Sequence, residues 1–210
     1  MLKKTPKDIR REESQALLKD LLAGKYLTLS IGALTIDEQV ATGETQVRCE
    51  LSIANIEGVL DNYNVAGAGM GFIDALFNGV CDKIVDDCQT FDNLSIQEFH
   101  VEVDKSELRE AKRRGVQGSA ANVDICLILH NGYLTKSSAY IPFRSRSRSL
   151  VSAGVQVVMQ AVEFYVNSEK AVIELRSLID NARERNRIDL VERYISMLST
   201  LTENTSYEGI

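Results

Sequence analysis

The sequence predicts an α+β fold made of two pseudo-symmetric βββα units with antiparallel sheets, an N-terminal helix before them and a helical tail behind. Three observations predict it. Residues 26 to 88 and 92 to 166 each read strand, strand, strand, helix. In both units the first strand alternates apolar and polar residues, loses phase once near its middle, and resumes. In the first unit the strands are joined by turn-length segments, which link antiparallel neighbours and not the parallel strands of a βαβ crossover. A repeated unit dominates the fold reading, because each copy alone leaves an apolar sheet face exposed while two can cover one another about a pseudo-two-fold axis.

Residues 1 to 24 read as one helix. Thr5-Pro6 supplies an N-cap followed by proline at the first helical position. Ile9, Leu17, Leu18, Leu21 and Leu22 form a partial apolar stripe, and Gly24 is the expected stop. Leu27, Leu29 and Ile31 then alternate with Thr28 and Ser30; the phase flips around Gly32, and Leu34 and Ile36 carry it on, which predicts a bulge. From Val47 to Ile53, Val47, Cys49, Leu51 and Ile53 face one way and Arg48, Glu50 and Ser52 the other. A turn near Asn55 leads into a third strand from about Gly58 to Val65. Gly67, Gly69 and Gly71 follow as a glycine cluster at the head of a helix reaching about Cys88. Its apolar residues Ile73, Leu76, Phe77, Val80 and Ile84 share one face.

The second unit repeats the order. Leu94 and Ile96 alternate, the phase flips near Gln97, and Phe99, Val101 and Val103 continue. After a polar loop from Asp104 to Ser119, Ala121 to Leu129 alternates, Asn131-Gly132 marks a hairpin, and a third strand runs from about Tyr133 to Phe143. A helix from about Ser149 to Val166 closes the unit, so the duplicated domain is expected to span residues 25 to 167. Residues 168 to 210 read as a helical extension, with one helix through Val172 to Ile179, a bend in the polar segment Asn181 to Arg187, and another helix through Ile188 to Leu198.

The chain has 210 residues, 44% apolar and 26% charged, with a net charge of −6. An acidic total argues against nucleic-acid binding, which needs cations to displace condensed counterions. The sequence contains no run of about 18 apolar residues, so no membrane span is expected. The opening MLKKTPKDIRREE has no apolar core and does not read as a secretory signal. The initial methionine and the capped first helix favour a natural start over a cut fragment. Cys49, Cys81, Cys88 and Cys126 form no Cys-x-x-Cys pair and read as buried thiols of a reducing, cytoplasmic protein.

Few residues carry chemistry. His100 and His130 stand in no metal-ligand spacing, and no Gly-x-Ser-x-Gly or Walker A motif occurs. No catalytic residue, metal or cofactor is therefore expected. The spacing of Gly67, Gly69 and Gly71 is not that of a dinucleotide-binding loop. Two readings stay open for it: a helix start whose amides receive an anion, or a tight turn that needs positive φ. Arg144, Arg146 and Arg148 alternate with serines at the matching place in the second unit. They read either as a small anion-binding strip or as a solvated strand end with a serine N-cap. Lys112-Arg113-Arg114 reads as solvated loop.

The stretch from Asn64 to Asn78, NVAGAGMGFIDALFN, resembles the helix start of the C-terminal allosteric, dimerising domain of 2-isopropylmalate synthase, which citramalate synthase also carries. Leu94 to Val103, Gly118-Ser119-Ala120-Ala121 and the serine-led helix from Ser149 agree in order, so the resemblance covers about residues 25 to 167. It implies a non-catalytic regulatory domain that forms a homodimer and binds a branched-chain amino acid such as leucine or isoleucine as allosteric effector. It implies an effector pocket lined by Gly69, Met70, Gly71, Ile73, Asp74, Leu94, Ile96 and Ala120. The family's catalytic barrel, about 250 residues holding a metal with an HxH pair, is absent from this chain. The implied partner is thus a separately encoded barrel-type synthase. Met70-Gly71-Phe72 stands where the family usually has a polar residue, glycine and proline. The alternative is a structural dimerisation or scaffold protein that has lost the pocket, with its C-terminal helices as partner surface. An enzyme using Asp74 and the arginines is a third reading.

Overall fold

The computed structural model describes residues 5–85, 88–103, 113, 122–131 and 140–205. Helix α1 (Pro6–Leu22) begins where the proline and its cap place it. Thr5 Oγ1 accepts from the Asp8 N–H at 3.3 Å, and Asp8 Oδ2 accepts from the Thr5 N–H at 2.7 Å, a reciprocal capping box. The left-handed residue that ends α1 is Ala23, at φ 44°, one position before the expected glycine. Gly24 serves a different purpose: a Cβ there would come 3.1 Å from Ile56 Cγ2.

The strands β1 (Thr28–Gln39), β2 (Glu44–Asn55) and β3 (Gly58–Met70) form one antiparallel sheet in the order β1-β2-β3. After helix α2 (Phe72–Ile84), the strands β4 (Leu94–Val103), β5 (Val123–Asn131) and β6 (Tyr140–Ser147) form a second antiparallel sheet in the order β4-β5-β6. Both phase flips are real register shifts, between Ile31 and Leu34 against β2 and between Ile96 and Glu98 against β5. The expected loop from Asp104, residues 114–121 and the Asn131-Gly132 turn with residues 132–139 lie outside the described residues, Arg113 and Asn131 excepted.

The glycine cluster differs from expectation. β3 does not stop at Val65 but runs on to Met70, so Gly67 and Gly69 are strand residues paired with Val47 and Thr45. The reason is contact. A Cβ on Gly67 would fall 2.7 Å from the Gly79 backbone, and one on Gly69 would fall 2.7 Å from the Ala75 nitrogen. Bare glycines let α2 lie directly against β3. Gly71, at φ 94°, makes the turn between them.

The second helix also departs from the expected bounds. Helix α3 (Leu150–Glu184) does not stop at Val166 but runs unbroken through the boundary between the expected domain and tail. Its Ser149 N-cap is as expected, the side chain accepting from the Ser152 N–H at 3.2 Å. The polar residues Asn167 and Ser168, just past the expected helix end, are buried and satisfied inside the helix. Ser168 Oγ donates to the Phe164 carbonyl at 2.7 Å. Asn167 clamps the start of β1, accepting from the Leu27 N–H at 2.8 Å while its amide donates to the Leu27 and Glu163 carbonyls, each at 2.8 Å. Arg185, Asn186 and Arg187 make the bend, with Asn186 at φ 52°, and helix α4 (Ile188–Thr205) follows.

The core lies between the sheets and α1, α2 and α3. Leu51, Leu76, Val80, Ile125, Leu127, Val157 and Tyr165 are fully buried in it. The sheet edges are less well covered. On β4, Phe99 and Val101 sit opposite the buried Leu127 and Ile125 and share their face, yet are 38% and 44% exposed. On β1, Ile31, Leu34 and Ile36 are half-buried. No helix among the described residues is long and apolar enough to cross a membrane.

Candidate functional site

The uncovered edge of β4 faces the start of α2, and the space between them is a cleft of about 460 Å³. Its back is the turn Met70-Gly71. The Gly71 N–H donates to the Gly43 carbonyl at 3.1 Å, and the Ala75 N–H donates to the Gly71 carbonyl at 3.1 Å, which fixes where the helix starts. Asp74 reaches back over that start, its Oδ2 accepting from the Met70 N–H at 2.9 Å. One wall is Phe72 and Ile73. They are held by α3, because Gly154 leaves room for them: a Cβ there would stand 2.6 Å from Ile73 Cδ1 and 2.7 Å from Phe72 Cε1. The other wall is Ile96, Phe99 and Val101, and Leu150 borders the opening. Met70 is 68% exposed and leans outward, so the cleft is open.

The lining is apolar except at Asp74. Such a space accommodates an aliphatic group of a few carbons, with a charged end set toward the carboxylate and the first amides of α2. The residues nominated from sequence divide as follows. Met70, Gly71, Ile73, Asp74 and Ile96 come together in the cleft. Gly69 lies behind the Asp74 side chain within β3, and Leu94 is buried in the core. Ala120 is outside the described residues. Four contributors were not nominated: Phe72, Phe99, Val101 and Leu150. The signal for Phe99 and Val101 was present, since alternation after a bulge on an edge strand marks an apolar face that the helices need not reach.

Exchange of the two units gives a counterpart. β1 meets the first turns of α3 around a second cleft of about 600 Å³, where Leu29, Ile31 and Leu34 face Val155 and Met159. Each edge strand therefore faces the helix of the other unit. The second cleft is more polar, lined also by Ser152, Gln156, Gln160 and Glu163. Glu163 is engaged, accepting from the Tyr26 hydroxyl at 2.9 Å and the Leu29 N–H at 3.2 Å.

The arginine run is largely committed within the chain. Arg144 Nε donates to Asp8 Oδ1 at 3.0 Å, and Arg146 lies 3.6 Å from Asp124. Arg148 is exposed beyond the end of β6. Beside this pair, Arg11 donates to the Pro142 carbonyl at 2.8 Å and stands 5.6 Å over the Phe143 ring. The run thus anchors α1 to β6. The four cysteines are buried and none is in a disulfide, and burial pushes the thiols of Cys49, Cys81 and Cys126 up, away from thiolate chemistry. Among the described residues, no group of three His, Cys, Asp or Glu side chains forms a metal-ligand set. No protein-family model matches the chain, and no curated protein does.

Proposed function

We propose that this chain is a non-catalytic regulatory and dimerisation domain that binds a branched-chain amino acid in the α2 cleft. One observation carries the reading: the glycine-led start of α2 opens onto an apolar cleft of about 460 Å³ that the described side chains leave unfilled. An aliphatic side chain fits against Ile73, Ile96 and Phe99. The ligand ammonium meets Asp74, and its carboxylate meets the amide end of α2. The resemblance to the allosteric domain of 2-isopropylmalate synthase supports the same ligand class, a homodimer, and action on a separately encoded barrel-type synthase.

Self-association has its own support. Phe99, Val101, Val103, Leu150 and Val151 are each 38% exposed or more and form part of the cleft rim or the strands and helix beside it. Apolar side chains gathered at such a site mark a surface that another protein covers. This same feature would serve the scaffold reading, in which the partner and not a ligand occupies the cleft.

The test is a thermal-shift and calorimetric titration with leucine, isoleucine and valine. A saturating ligand raises stability by about 2.7 kcal/mol at one hundred times its Kd. Ile96→Trp fills the cleft and removes that shift. Absence of any shift at about 10 mM of all three ligands, a level that stabilises measurably even for Kd values near 1 mM, transfers the assignment to the scaffold reading.

A further inference from the structure

The polar side chains of α3 that face β1 stand in one line. Ser152, Gln156, Gln160, Glu163 and Asn167 recur at the four- and three-residue spacing of a single helix face, and the first four line the cleft beside β1. At its far end this line closes the open edge of β1. Asn167, fully buried, takes the N–H and carbonyl of Leu27, and Glu163 Oε2 takes the Leu29 N–H at 3.2 Å. These two side chains stand where the backbone of a further strand would stand.

Along a strand every second residue turns its N–H and carbonyl to the same side. The register of β1 against β2 shifts only after Ile31, so Ile31 presents its N–H and carbonyl to the edge to which Leu29 presents its own. There the helix no longer reaches. Gln156 and Gln160 are exposed, and among the described residues neither is hydrogen-bonded to β1; Gln156 donates to Ser152 Oγ at 3.4 Å. The cleft of about 600 Å³ is this gap, with Leu29, Ile31 and Leu34 on the strand side and Val155 and Met159 on the helix side.

The two walls define what fits between them. One carries a peptide N–H and carbonyl, the other two carboxamides, and a chain of peptide groups offers donors and acceptors to both. Glu163 is the single charged residue of the lining and is already bonded, so the cleft selects no ligand charge. From Ser152 to Gln160 the helix rises about 12 Å at 1.5 Å per residue, which an extended chain covers in about four residues. We propose that this cleft receives an extended, uncharged peptide segment of a partner protein as an added strand on β1. The segment bonds Ile31 along one edge and Gln156 and Gln160 along the other, and alternate aliphatic side chains rest on Val155 and Met159. The site shares no lining residue with the α2 cleft, so the proposal stands apart from the amino-acid reading.

The experiment is an NMR titration with a blocked tetrapeptide of alternating valine and threonine, beside the same peptide N-methylated at its valines. Saturable shifts are expected at the Ile31 and Gly32 amides and at the side-chain amides of Gln156 and Gln160. N-methylation weakens binding by at least about tenfold, since it removes donors and leaves their partners unpaired. The double variant Gln156→Ala/Gln160→Ala, at exposed helix positions where alanine is well tolerated, melts like the parent and loses about tenfold in affinity. Ile96→Trp, which blocks the other cleft, leaves peptide binding as it was. No saturation at about 10 mM peptide, ten times the Kd of a weak site of about 1 mM, would overturn the proposal. So would equal binding of the N-methylated peptide, full affinity in the double variant, or loss in Ile96→Trp. A concentration-dependent dimer in sedimentation that the double variant abolishes would give the edge to a second copy's β1 and overturn the partner-peptide assignment.

Discussion

Gly79→Ala sets two physical effects against each other and the structure says which wins. In an exposed helix, alanine in place of glycine stabilises by about 1 kcal/mol, since alanine loses less backbone entropy. Gly79 is buried in α2 against β3, and its new Cβ would stand 2.7 Å from Gly67 Cα, 2.8 Å from Gly67 N and 3.0 Å from the Ala66 carbonyl carbon. All three are backbone atoms of a paired strand, so no side chain can swing aside. Relief requires moving α2 off the sheet and loosening Leu76 and Val80, both fully buried. Overpacking of this kind costs about 3 kcal/mol where backbone must shift, so the net destabilisation is about 2 kcal/mol after the propensity gain. For a chain of this size that lowers Tm by about 4–8 °C. Gly32→Ala is the control, because the nearest atom to its Cβ is the end of the Glu50 side chain at 3.7 Å. Calorimetric melting of both variants beside the parent checks the sign. A Gly79→Ala protein as stable as the parent, or more so, would refute the close approach of α2 and β3 on which the cleft geometry rests.

Two further outcomes follow from buried polar groups. Burial pushes the Asp8 carboxyl up, but the Thr5 N–H, the Thr5 hydroxyl and Arg144 together outweigh it and hold the group below its ordinary value of 3.8. Its contribution is therefore full above the unfolded value and is lost as pH falls through the lower folded one. Asp8→Asn should cost about 2 kcal/mol at pH 7 through the lost carboxylate charge, which removes the ion pair with Arg144 and weakens the bonds from Thr5 that the amide oxygen can still accept, and the deficit should shrink in urea melts toward pH 3; a constant deficit would contradict the assignment. Asn167→Leu should cost about 3 kcal/mol, because it strips partners from both the N–H and the carbonyl of Leu27 in a buried setting. Amide exchange at Leu27 should accelerate more than exchange at Leu51, and uniform acceleration would count against a local clamp.

Much of this architecture is legible in the sequence where local physics decides it. Alternation with a single slip in Leu29–Ile36 and again in Leu94–Val103 marks both register shifts, because a bulge inverts the face of every later residue. Thr5-Pro6 and Ser149 mark helix starts through capping alone. The misreadings concern contacts that alternation and capping do not encode, several of them remote in sequence. Asn167 and Ser168 look like a break until Leu27 and the Phe164 carbonyl are seen to satisfy them. Gly67 and Gly69 look like a loop until Gly79 and Ala75 are placed against them. Arg144 looks free until Asp8, 136 residues away, takes it. The candidate site shows the same division. Met70, Gly71, Ile73 and Asp74 belong to one local motif, while Phe99, Val101 and Leu150 join it only through tertiary packing.

The unbroken run of α3 has a mechanical meaning. Its 35 residues span about 52 Å as a single rod. Near one end Gly154 seats Phe72 and Ile73 at the cleft, and at the other end the bend carries α4. A rod of that length multiplies angle into distance: a tilt of about 5° at the Gly154 fulcrum sweeps the Glu184 end through about 4 Å. Because Asn167 ties the middle of the rod to both backbone groups of Leu27, a tilt of that size would also carry the start of β1 by about 2 Å, so α4 and the first sheet move together.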